Sequence, residues 1–281
     1  MANSTEPDAD ELAAYYSSGS LLQRITAGLA TLGQTPPLSL ETLAPLDEFH
    51  IGGRQATVPF LQKLGVGPGD KVLDLGCGLG GPARFAAHST GAQVTGIDLT
   101  EEFVTTGQAL TDMAGLTGQV GLVQGSILDL PFPPGGFDAA YMIHVGMNIA
   151  DKAGIATQVA RALKPGGVFG IYDVMRVSEG DLRFPVPWAS GPSHSALATP
   201  ATYRAALEQA GFVLESQTDL TGFAREFFAR MAAAPRREGG PPPLGLHLVM
   251  DVDGVAKMGN LARNIADGTV APIEMIARRA A

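Results

Sequence analysis

The feature that most constrains the fold is a glycine cluster that directly follows a short apolar run. The apolar run covers residues 72–75, the cluster covers 76–81, and Pro82 stands where a helix would begin. Glycines allow a sharp bend and let a ligand lie against bare main chain, and proline suits a first helical position. The cluster also fits the dinucleotide-binding pattern G-x-G-x-x-G. It therefore predicts a ligand site at the end of a buried strand, without identifying the ligand.

Short apolar runs alternate with helical segments from residue 71 onward. This alternation predicts a parallel sheet with helices on both faces, and strands covered on both faces lack polar alternation. The predicted strands cover residues 71–75, 93–97, 120–124, 137–143, 167–174, 212–220 and 270–277. The predicted helices cover residues 10–32, 82–88, 101–114, 152–163, 200–210, 222–231 and 244–265, and a further helix follows residue 54 and ends at about residue 64. Residues 34–45 are predicted as a connector.

Two acidic residues at predicted strand ends narrow the choice of ligand. Asp74 lies two residues before Gly76, where a carboxylate can receive the ammonium of an amino-acid moiety. Asp98 ends the next strand, where it can accept hydrogen bonds from both ribose hydroxyls and disfavours a 2′-phosphate. S-adenosylmethionine (SAM) carries both groups, whereas NAD carries the ribose without the ammonium. The pair therefore favours SAM, and NAD stays open as the alternative.

Three further motifs follow in order along the chain. Residues 125–132 follow the third strand, Phe137-Asp138 begins the fourth, and residues 163–167 (Leu-Lys-Pro-Gly-Gly) precede the fifth. Together with the glycine cluster and the two acids, this set resembles the class I SAM-dependent methyltransferases, in their small-molecule "type 11" branch. The chain is similar to sarcosine/dimethylglycine, phosphoethanolamine and tocopherol methyltransferases. The resemblance covers residues 71–173 closely and the flanks loosely.

The resemblance implies an α/β fold with a Rossmann-like, doubly wound and mostly parallel seven-stranded sheet. It implies SAM-dependent methylation of a nitrogen, oxygen or carbon atom of a small metabolite, with release of S-adenosylhomocysteine (SAH). The acceptor and the methylated atom stay open. The expected parts are an N-terminal helical lid over residues 1–64, a SAM-binding core over 65–220, a helical cap insertion over 221–268 and the last core strand over 269–281.

The resemblance also assigns residues to the cofactor. It implies that the first loop holds the methionine part of SAM, that Asp98 holds the ribose, and that residues after the third strand flank the adenine. A stretch before the first strand is implied to lie near the methionine tail, under an N-terminal lid. The implied cofactor-binding residues are Asp74, Gly76, Cys77, Gly78, Gly80, Asp98, Leu99, Ser126, Ile127, His144, Gly53 and Tyr16.

His144 is the candidate catalytic residue. It is the first polar residue at the carboxyl end of the fourth predicted strand, where ligands bind in open α/β sheets. Because the ordinary pKa of histidine lies close to neutrality, His144 suits a general base; the alternative is that it only hydrogen-bonds substrate or cofactor. Loops often line substrate pockets. The substrate-binding candidates are His50, Met147, Trp188, His194 and His247.

Composition limits the expected partners. The formal net charge of −9 repels a phosphate backbone, so nucleic acid is not expected as a substrate. The single cysteine, Cys77, excludes an intrachain disulfide, and the histidines and acids show no metal-ligand spacing. The sequence contains no apolar run of about 20 residues that could span a bilayer. These features predict a cytoplasmic protein that acts on a small-molecule acceptor without metal or membrane; a homodimer stays open.

Three other classes remain as alternatives. An NAD-dependent oxidoreductase would need an acid such as the Tyr-x-x-x-Lys pair, and neither Tyr172 nor Tyr203 has lysine four residues on. A non-catalytic SAM-binding protein is disfavoured by the intact glycine cluster and by His144. A nucleic-acid amino methyltransferase would carry an Asn/Asp-Pro-Pro-Tyr/Phe signature after the fourth strand, and this signature is missing, whereas protein substrates stay open.

Overall fold

The structure, a computed structural model, describes residues 19–234, 240–250 and 253–281. Strands and helices alternate along most of it, as the apolar pattern predicts. The strands are β1 (Lys71–Leu75), β2 (Gln93–Asp98), β3 (Val120–Gln124), β4 (Phe137–Ile143), β5 (Leu163–Arg176), β6 (Phe212–Asp219) and β7 (Val270–Arg279). The α-helices are α1 (Leu21–Thr31), α2 (Leu40–Asp47), α3 (Arg54–Leu64), α4 (Gly81–Thr90), α5 (Glu101–Met113), α6 (Lys152–Ala162), α7 (Pro200–Gln209), α8 (Thr221–Ala233) and α9 (Gly254–Ala266).

The strands form one seven-stranded sheet in the order β3-β2-β1-β4-β5-β7-β6. The first five strands in the chain pair in parallel, while β7 is antiparallel to both β5 and β6. The predicted fold class, a Rossmann-like and mostly parallel seven-stranded sheet, is confirmed. Helices α8 and α9 lie between β6 and β7 in the chain, where an insertion is predicted.

The topology places a ligand crevice beside β1. This strand pairs with β2 on one side and with β4 on the other, so the strand order reverses at its edge. Doubly wound sheets bind their ligands at such a reversal, outside the carboxyl ends of the strands. Leu75, Asp98 and Ile143 end the three strands concerned. The residues that follow them therefore meet at one edge of the sheet.

Apolar clusters cover the sheet on both faces. Leu73 belongs to one cluster and Val72 to the other, and both side chains are fully buried. Successive side chains of a strand point to opposite faces, so adjacent apolar residues are needed when both faces are covered. This arrangement explains why the strand sequences show continuous apolar runs rather than alternation.

The connector predicted over residues 34–45 is wrong in its second half, which begins α2. The paired prolines Pro36-Pro37 indicate a connector, and Pro45 removes one backbone hydrogen bond from the helix that follows them. Leu40, Leu43 and Leu46 are nevertheless buried along one side of it. Their burial stabilises the helix despite the proline.

The single helix predicted over residues 244–265 is also wrong. A 3₁₀ turn covers Leu246–Leu248, and α9 begins at Gly254. Glycine is a poor interior residue, and aspartate favours a helix start, so Asp253-Gly254 begins a helix rather than continuing one. The helix predicted over residues 10–32 is described from residue 19 onward and there begins at Leu21. None of the described helices is long and apolar enough to cross a bilayer.

A buried ion pair attaches α2 to the core. The guanidinium of Arg84 on α4 is fully buried and donates from Nη2 to the Asp47 carboxylate at 2.6 Å. Its Nη1 also donates to the backbone oxygen of Gly107 and to the hydroxyl of Thr111, both on α5. One side chain thus joins three helices, among them the helix that leads into the ligand crevice.

Removing the arginine tests this attachment. We expect Arg84→Met to lower the free energy of unfolding by about 3–5 kcal/mol, because it leaves Asp47 as a buried carboxylate without a counter-charge. Urea denaturation measures the change. The matched control is Arg183→Met, which removes a pair between two side chains that are about half exposed, Arg183 and Asp267. It should lower stability by less than about 1 kcal/mol, and equal losses in the two variants would contradict the role assigned to Arg84.

Candidate active site

A cavity of about 520 Å³ lies at the carboxyl ends of β1, β2, β3 and β4. The glycine loop after β1 forms one part of its wall. The end of α2 and the connection to α3 form another part, through Leu46, Asp47, Phe49, His50 and Ile51. Residues from β2, β3 and β4 close the sheet side. Its far side comes from later parts of the chain, namely Pro187, Trp188, Phe227, Leu246, Val249, Met258 and Leu261.

Hydrogen bonds to β2 hold the glycine loop in place. The carbonyl oxygen of Ile97 accepts from the backbone N–H of Gly76 at 2.8 Å and from that of Cys77 at 3.1 Å. The carboxylate of Asp98 accepts from the N–H of Gly78 at 2.8 Å. Gly76 has φ of +71°, and a Cβ atom there would lie 2.4 Å from a methyl carbon of Val145. Only glycine therefore lets the loop pass this close to the turn after β4.

Asp74 is a buried carboxylate at the start of the loop. It is 2% exposed, and its one described side-chain partner is the hydroxyl of Tyr141, which donates to Oδ2 at 3.0 Å. Burial, helped by the nearby acids Asp98 and Glu48 and opposed by the hydrogen bond from Tyr141, raises the pKa of Asp74 to about 8. A cationic ligand group at this position would stabilise the ionised carboxylate.

The carboxylate of Asp98 holds the glycine loop and still has acceptor positions free for a ligand. Its Oδ1 accepts from the N–H of Thr100 at 2.9 Å, and its Oδ2 holds the loop through Gly78. Burial raises its pKa, whereas these N–H groups lower it. A carboxylate offers about four acceptor positions, so the two hydrogen bonds leave room for ligand hydroxyls.

His144 has an unusual backbone at the end of β4. Its φ is +53°, and it is the one non-glycine residue with positive φ in the described parts of the chain. Its N–H donates to the oxygen of Tyr172 at 2.7 Å, while its Nε2 is buried and has no described hydrogen-bond partner. Burial lowers the pKa of His144 well below its usual value, so the ring is neutral at pH 7. Strained backbone of this kind is typical of functional sites.

A second histidine lies beside the first. The ring centroids of His50 and His144 are 5.9 Å apart, and both rings pack near Tyr172. Nε2 of His50 lies 3.1 Å from the oxygen of Gly53 and 3.6 Å from a carboxylate oxygen of Glu48. Burial lowers the pKa of His50 to about 4. Two neutral imidazoles therefore stand together at the centre of the cavity wall.

The far half of the cavity is apolar. Ile51, Met147, Trp188 and Leu261 belong to one buried cluster, and each also lines the cavity. The indole N–H of Trp188 donates to the hydroxyl of Ser195 at 3.0 Å, which fixes the ring plane. Apolar surface here binds apolar ligand groups by removing both from water.

Most of the predicted site residues meet in this cavity. Four do not line it: Gly80 is buried at the start of α4, Gly53 precedes α3, and His194 and His247 are exposed on other surfaces. Tyr16 lies outside the described residues. The predicted residues that line the cavity are Asp74, Gly76, Cys77, Gly78, Asp98, Leu99, Ser126, Ile127, His144, His50, Met147 and Trp188.

Two groups of residues at the cavity are absent from the predicted site. Asp47 lines the cavity, and Glu48 lies behind the lining with its Oε2 3.6 Å from Nε2 of His50. Both precede His50 in one short motif, which is the signal that the sequence offers. The helix residues Met258 and Leu261 also line the cavity. Their i, i+3 spacing indicates a shared helix face, but no local signal says that this face covers a ligand site.

Comparison with known proteins identifies the core. Residues 73–171 match the family model described as "Methyltransferase domain". This region is a class I SAM-dependent methyltransferase domain. The resemblance inferred from the glycine loop, the two acids and the later motifs is thereby confirmed.

Sterol methyltransferases are among the relatives of this chain. It is 36% identical over 171 residues to the sterol 24-C-methyltransferase of Yarrowia lipolytica, and the match covers 56% of this chain and 43% of that protein. It is 40% identical over 111 residues to cycloartenol-C-24-methyltransferase 1 of Oryza sativa subsp. japonica, covering 40% and 32%. The matched regions thus span less than half the length of these relatives.

Solved structures share the fold. A geranyl diphosphate C-methyltransferase from Streptomyces coelicolor, bound to Mg²⁺, geranyl diphosphate and SAH, has a TM-score of 0.71 at 18% identity, covering 99% of this chain and 100% of that one. A phosphoethanolamine N-methyltransferase 2 from Haemonchus contortus has a TM-score of 0.72 at 18% identity, covering 96% and 60%. At these identities the likeness shows the fold.

Two glycine substitutions test the loop geometry. We expect Gly76→Ala to lower the free energy of unfolding by about 2–5 kcal/mol, because it adds left-handed strain to overlap with Val145. Gly78→Ala is the matched control: its φ is +52°, but no described atom beyond its chain neighbours lies within 4 Å of a Cβ there. It should lower stability by about 1–2 kcal/mol. Chemical denaturation measures the free energy of unfolding of both variants. An equal loss of stability in Gly78→Ala would contradict the close approach of Gly76 to Val145.

Proposed function

We propose that this chain transfers a methyl group from SAM to a carbon atom of an uncharged, largely apolar acceptor that contains a C=C bond. The observation that carries the proposal is the division of one cavity into an acidic half at the sheet edge and an apolar half under α8 and α9. The sequence relatives are sterol and cycloartenol C-24-methyltransferases, which supports carbon as the methylated atom.

The acidic half fits the charged donor. When bound, SAM supplies a methyl group made electrophilic by its sulfonium sulfur. Asp74 would receive the ammonium of the amino-acid part, and Asp98 would accept from the ribose hydroxyls. Leu99 and Ile127 would cover the adenine, with the Ser126 hydroxyl as an acceptor for its amino group. The bare backbone at Gly76 leaves the space that a side chain would fill.

The apolar half fits an acceptor without a charged head group. Trp188, Met147, Ile51 and Leu261 would bury the acceptor's hydrocarbon surface, which stabilises binding by about 25 cal/mol per Å². Water excluded from this half cannot compete for the electrophilic methyl group. The residues hold the acceptor carbon in line with that group, and such positioning supplies a large part of a transfer rate.

The charges of the wall argue against an anionic acceptor. Asp47, Asp74, Asp98 and Asp151 all line the cavity, and of these Asp47 is neutralised by Arg84. The two histidines of the wall are neutral at pH 7 because burial lowers their pKa values. None of the described residues that line the cavity is Lys or Arg, so a phosphate or diphosphate group would find no cationic side chain there to pair with.

Asp74 gives the proposal a pH signature. Its raised pKa of about 8 means that the carboxyl is mostly protonated at pH 7 without ligand, and a bound ammonium would ionise it. SAM affinity should therefore rise with pH, by up to about tenfold per unit between about pH 6 and pH 8, with release of about one proton. Calorimetric titration in buffers of different ionisation heat measures that proton. Asp74→Asn should bind SAM more weakly and release no proton, and an unchanged proton count in this variant would contradict the assignment.

An acceptor panel tests the reaction. We expect purified protein with ¹³C-methyl SAM to release SAH and to form a new carbon–methyl bond with cycloartenol. Geranyl diphosphate and phosphoethanolamine should be methylated at least about tenfold less, because no described lining residue is a Lys or Arg that could pair with their phosphates. Mass spectrometry and ¹³C NMR locate the methyl group. Leu261→Asp should reduce turnover of cycloartenol without changing SAM affinity. Preferred methylation of either phosphorylated acceptor, or of nitrogen, would overturn the proposal.

A further inference from the structure

Methylation of a C=C bond needs a base that methylation of an amine's lone pair does not. The π electron pair of the acceptor forms the bond to the incoming methyl group, and the neighbouring carbon is left with a positive charge. A C–H bond beside that carbon then breaks. Its electron pair forms the new C=C bond, and the proton must go to a group in the cavity wall. A C–H bond next to a carbocation is strongly acidic, so a weak base suffices.

The His50 ring is held in one tautomer with a free basic nitrogen. Among the described residues, its hydrogen bonds go through Nε2 alone, to the oxygen of Gly53 at 3.1 Å and the hydroxyl of Thr57 at 3.0 Å. A carbonyl oxygen only accepts, so Nε2 carries the hydrogen. The neutral ring then bears its lone pair on Nδ1. Because His50 lines the cavity, this nitrogen belongs to the wall that surrounds the acceptor.

A carboxylate stands behind the ring. Oε2 of Glu48 lies 3.6 Å from Nε2 of His50 and accepts from the Thr57 hydroxyl at 2.6 Å. The Glu48 side chain is 1% exposed, so water screens its charge little. Arg54 pairs with its other oxygen and opposes protonation of His50, whereas Asp47 favours it. The neutral groups beside the ring are His144 and Tyr172.

His144 lacks such support. Its Nε2 is buried without a described partner, and the charge that acts on its pKa is that of His50, which disfavours a second positive ring. A proton on His144 would remain a buried cation without a counter-charge, and such a charge is strongly disfavoured. We infer that His50, backed by Glu48, is the base that receives the proton released by carbon methylation, and that His144 shapes the wall beside it. This inference rests on the proposed function, since only a carbon acceptor gives an alkene whose double-bond position reports on this base.

The assignment agrees with the resting state of the ring. Burial lowers the pKa of His50 to about 4, so it is neutral at pH 7 and its lone pair is available. After the transfer, the imidazolium lies next to the Glu48 carboxylate until the product leaves and water takes the proton. The short motif Asp47-Glu48-Phe49-His50 thus delivers both the base and its counter-charge to the cavity.

The decisive variant is His50→Gln, whose amide can keep the donor to Gly53 but has no basic nitrogen. With cycloartenol and ¹³C-methyl SAM, we expect it to release SAH while formation of the wild-type alkene product falls by about 10²-fold or more. Displaced alkenes and methylated alcohols, from loss of another proton or capture of water, should make up the remaining methylated product. SAM affinity should stay within about twofold of wild type, because the base acts after the donor is bound.

Matched variants separate the base from its surroundings. His144→Gln should keep the wild-type alkene as the methylated product, whatever its effect on the rate. His88→Gln, at an exposed position on α4, should match wild type in rate and product. Product patterns shifted in His144→Gln and unchanged in His50→Gln would overturn the inference. Wild-type protein that forms no carbon–methyl bond with cycloartenol would instead reject the proposed function.

Nitrogen-15 NMR gives a test that needs no acceptor. The His50 imidazole, assigned by its loss in His50→Gln, should show a neutral ring with the hydrogen on Nε2 from about pH 8 down to about pH 5. A ring with the hydrogen on Nδ1 would leave no lone pair toward the cavity and would overturn the inference, whatever the acceptor. Thermal unfolding of the variant checks that the fold is retained.

Discussion

The carbonyl oxygen of Ile97 accepts two consecutive N–H groups of the glycine loop, and the rest of the cavity depends on this attachment. It bends the chain away from β1, so that the loop closes over the end of β2 and its third N–H reaches Asp98. The bend also takes Gly76 against Val145 in the turn after β4. The donor half of the cavity and the turn that carries His144 are therefore set by one local backbone arrangement.

The parts of the fold and the site that can be predicted from sequence are those marked by a motif within one short segment. Asp74 and Asp98 occupy strand ends in the sequence pattern, and the parallel sheet brings strand ends together whatever the loops do. Which of the other residues line the cavity depends on packing between segments that are distant in the chain. His194 and His247 were selected by residue type and lie exposed, whereas Met258 and Leu261 reach the cavity because α9 folds back over the sheet edge. A pattern within one segment carries no information about which distant segment covers it.

The electrostatics of the site explain how one cavity accommodates two unlike ligands. Carboxylates at the sheet edge suit a cation, and the neutral rings of His50 and His144 line the same cavity as the apolar side chains. Burial is the common physical cause: it keeps the histidines uncharged and raises the pKa of Asp74 until a positive group arrives. Without a ligand, the two histidines are neutral and Asp74 is mostly protonated at pH 7. A bound cationic group would ionise Asp74.

The two halves of the cavity also differ in where the chain encodes them. The donor half comes largely from the contiguous stretch of residues 73–171, while the apolar wall is assembled from Ile51, Trp188 and the segment around α9. Substitutions in these outlying segments can reshape the apolar wall without disturbing the glycine loop, the part of the cavity that we propose holds the donor. Descendants of such a chain can therefore diversify in what they modify while the way they bind the methyl source stays the same.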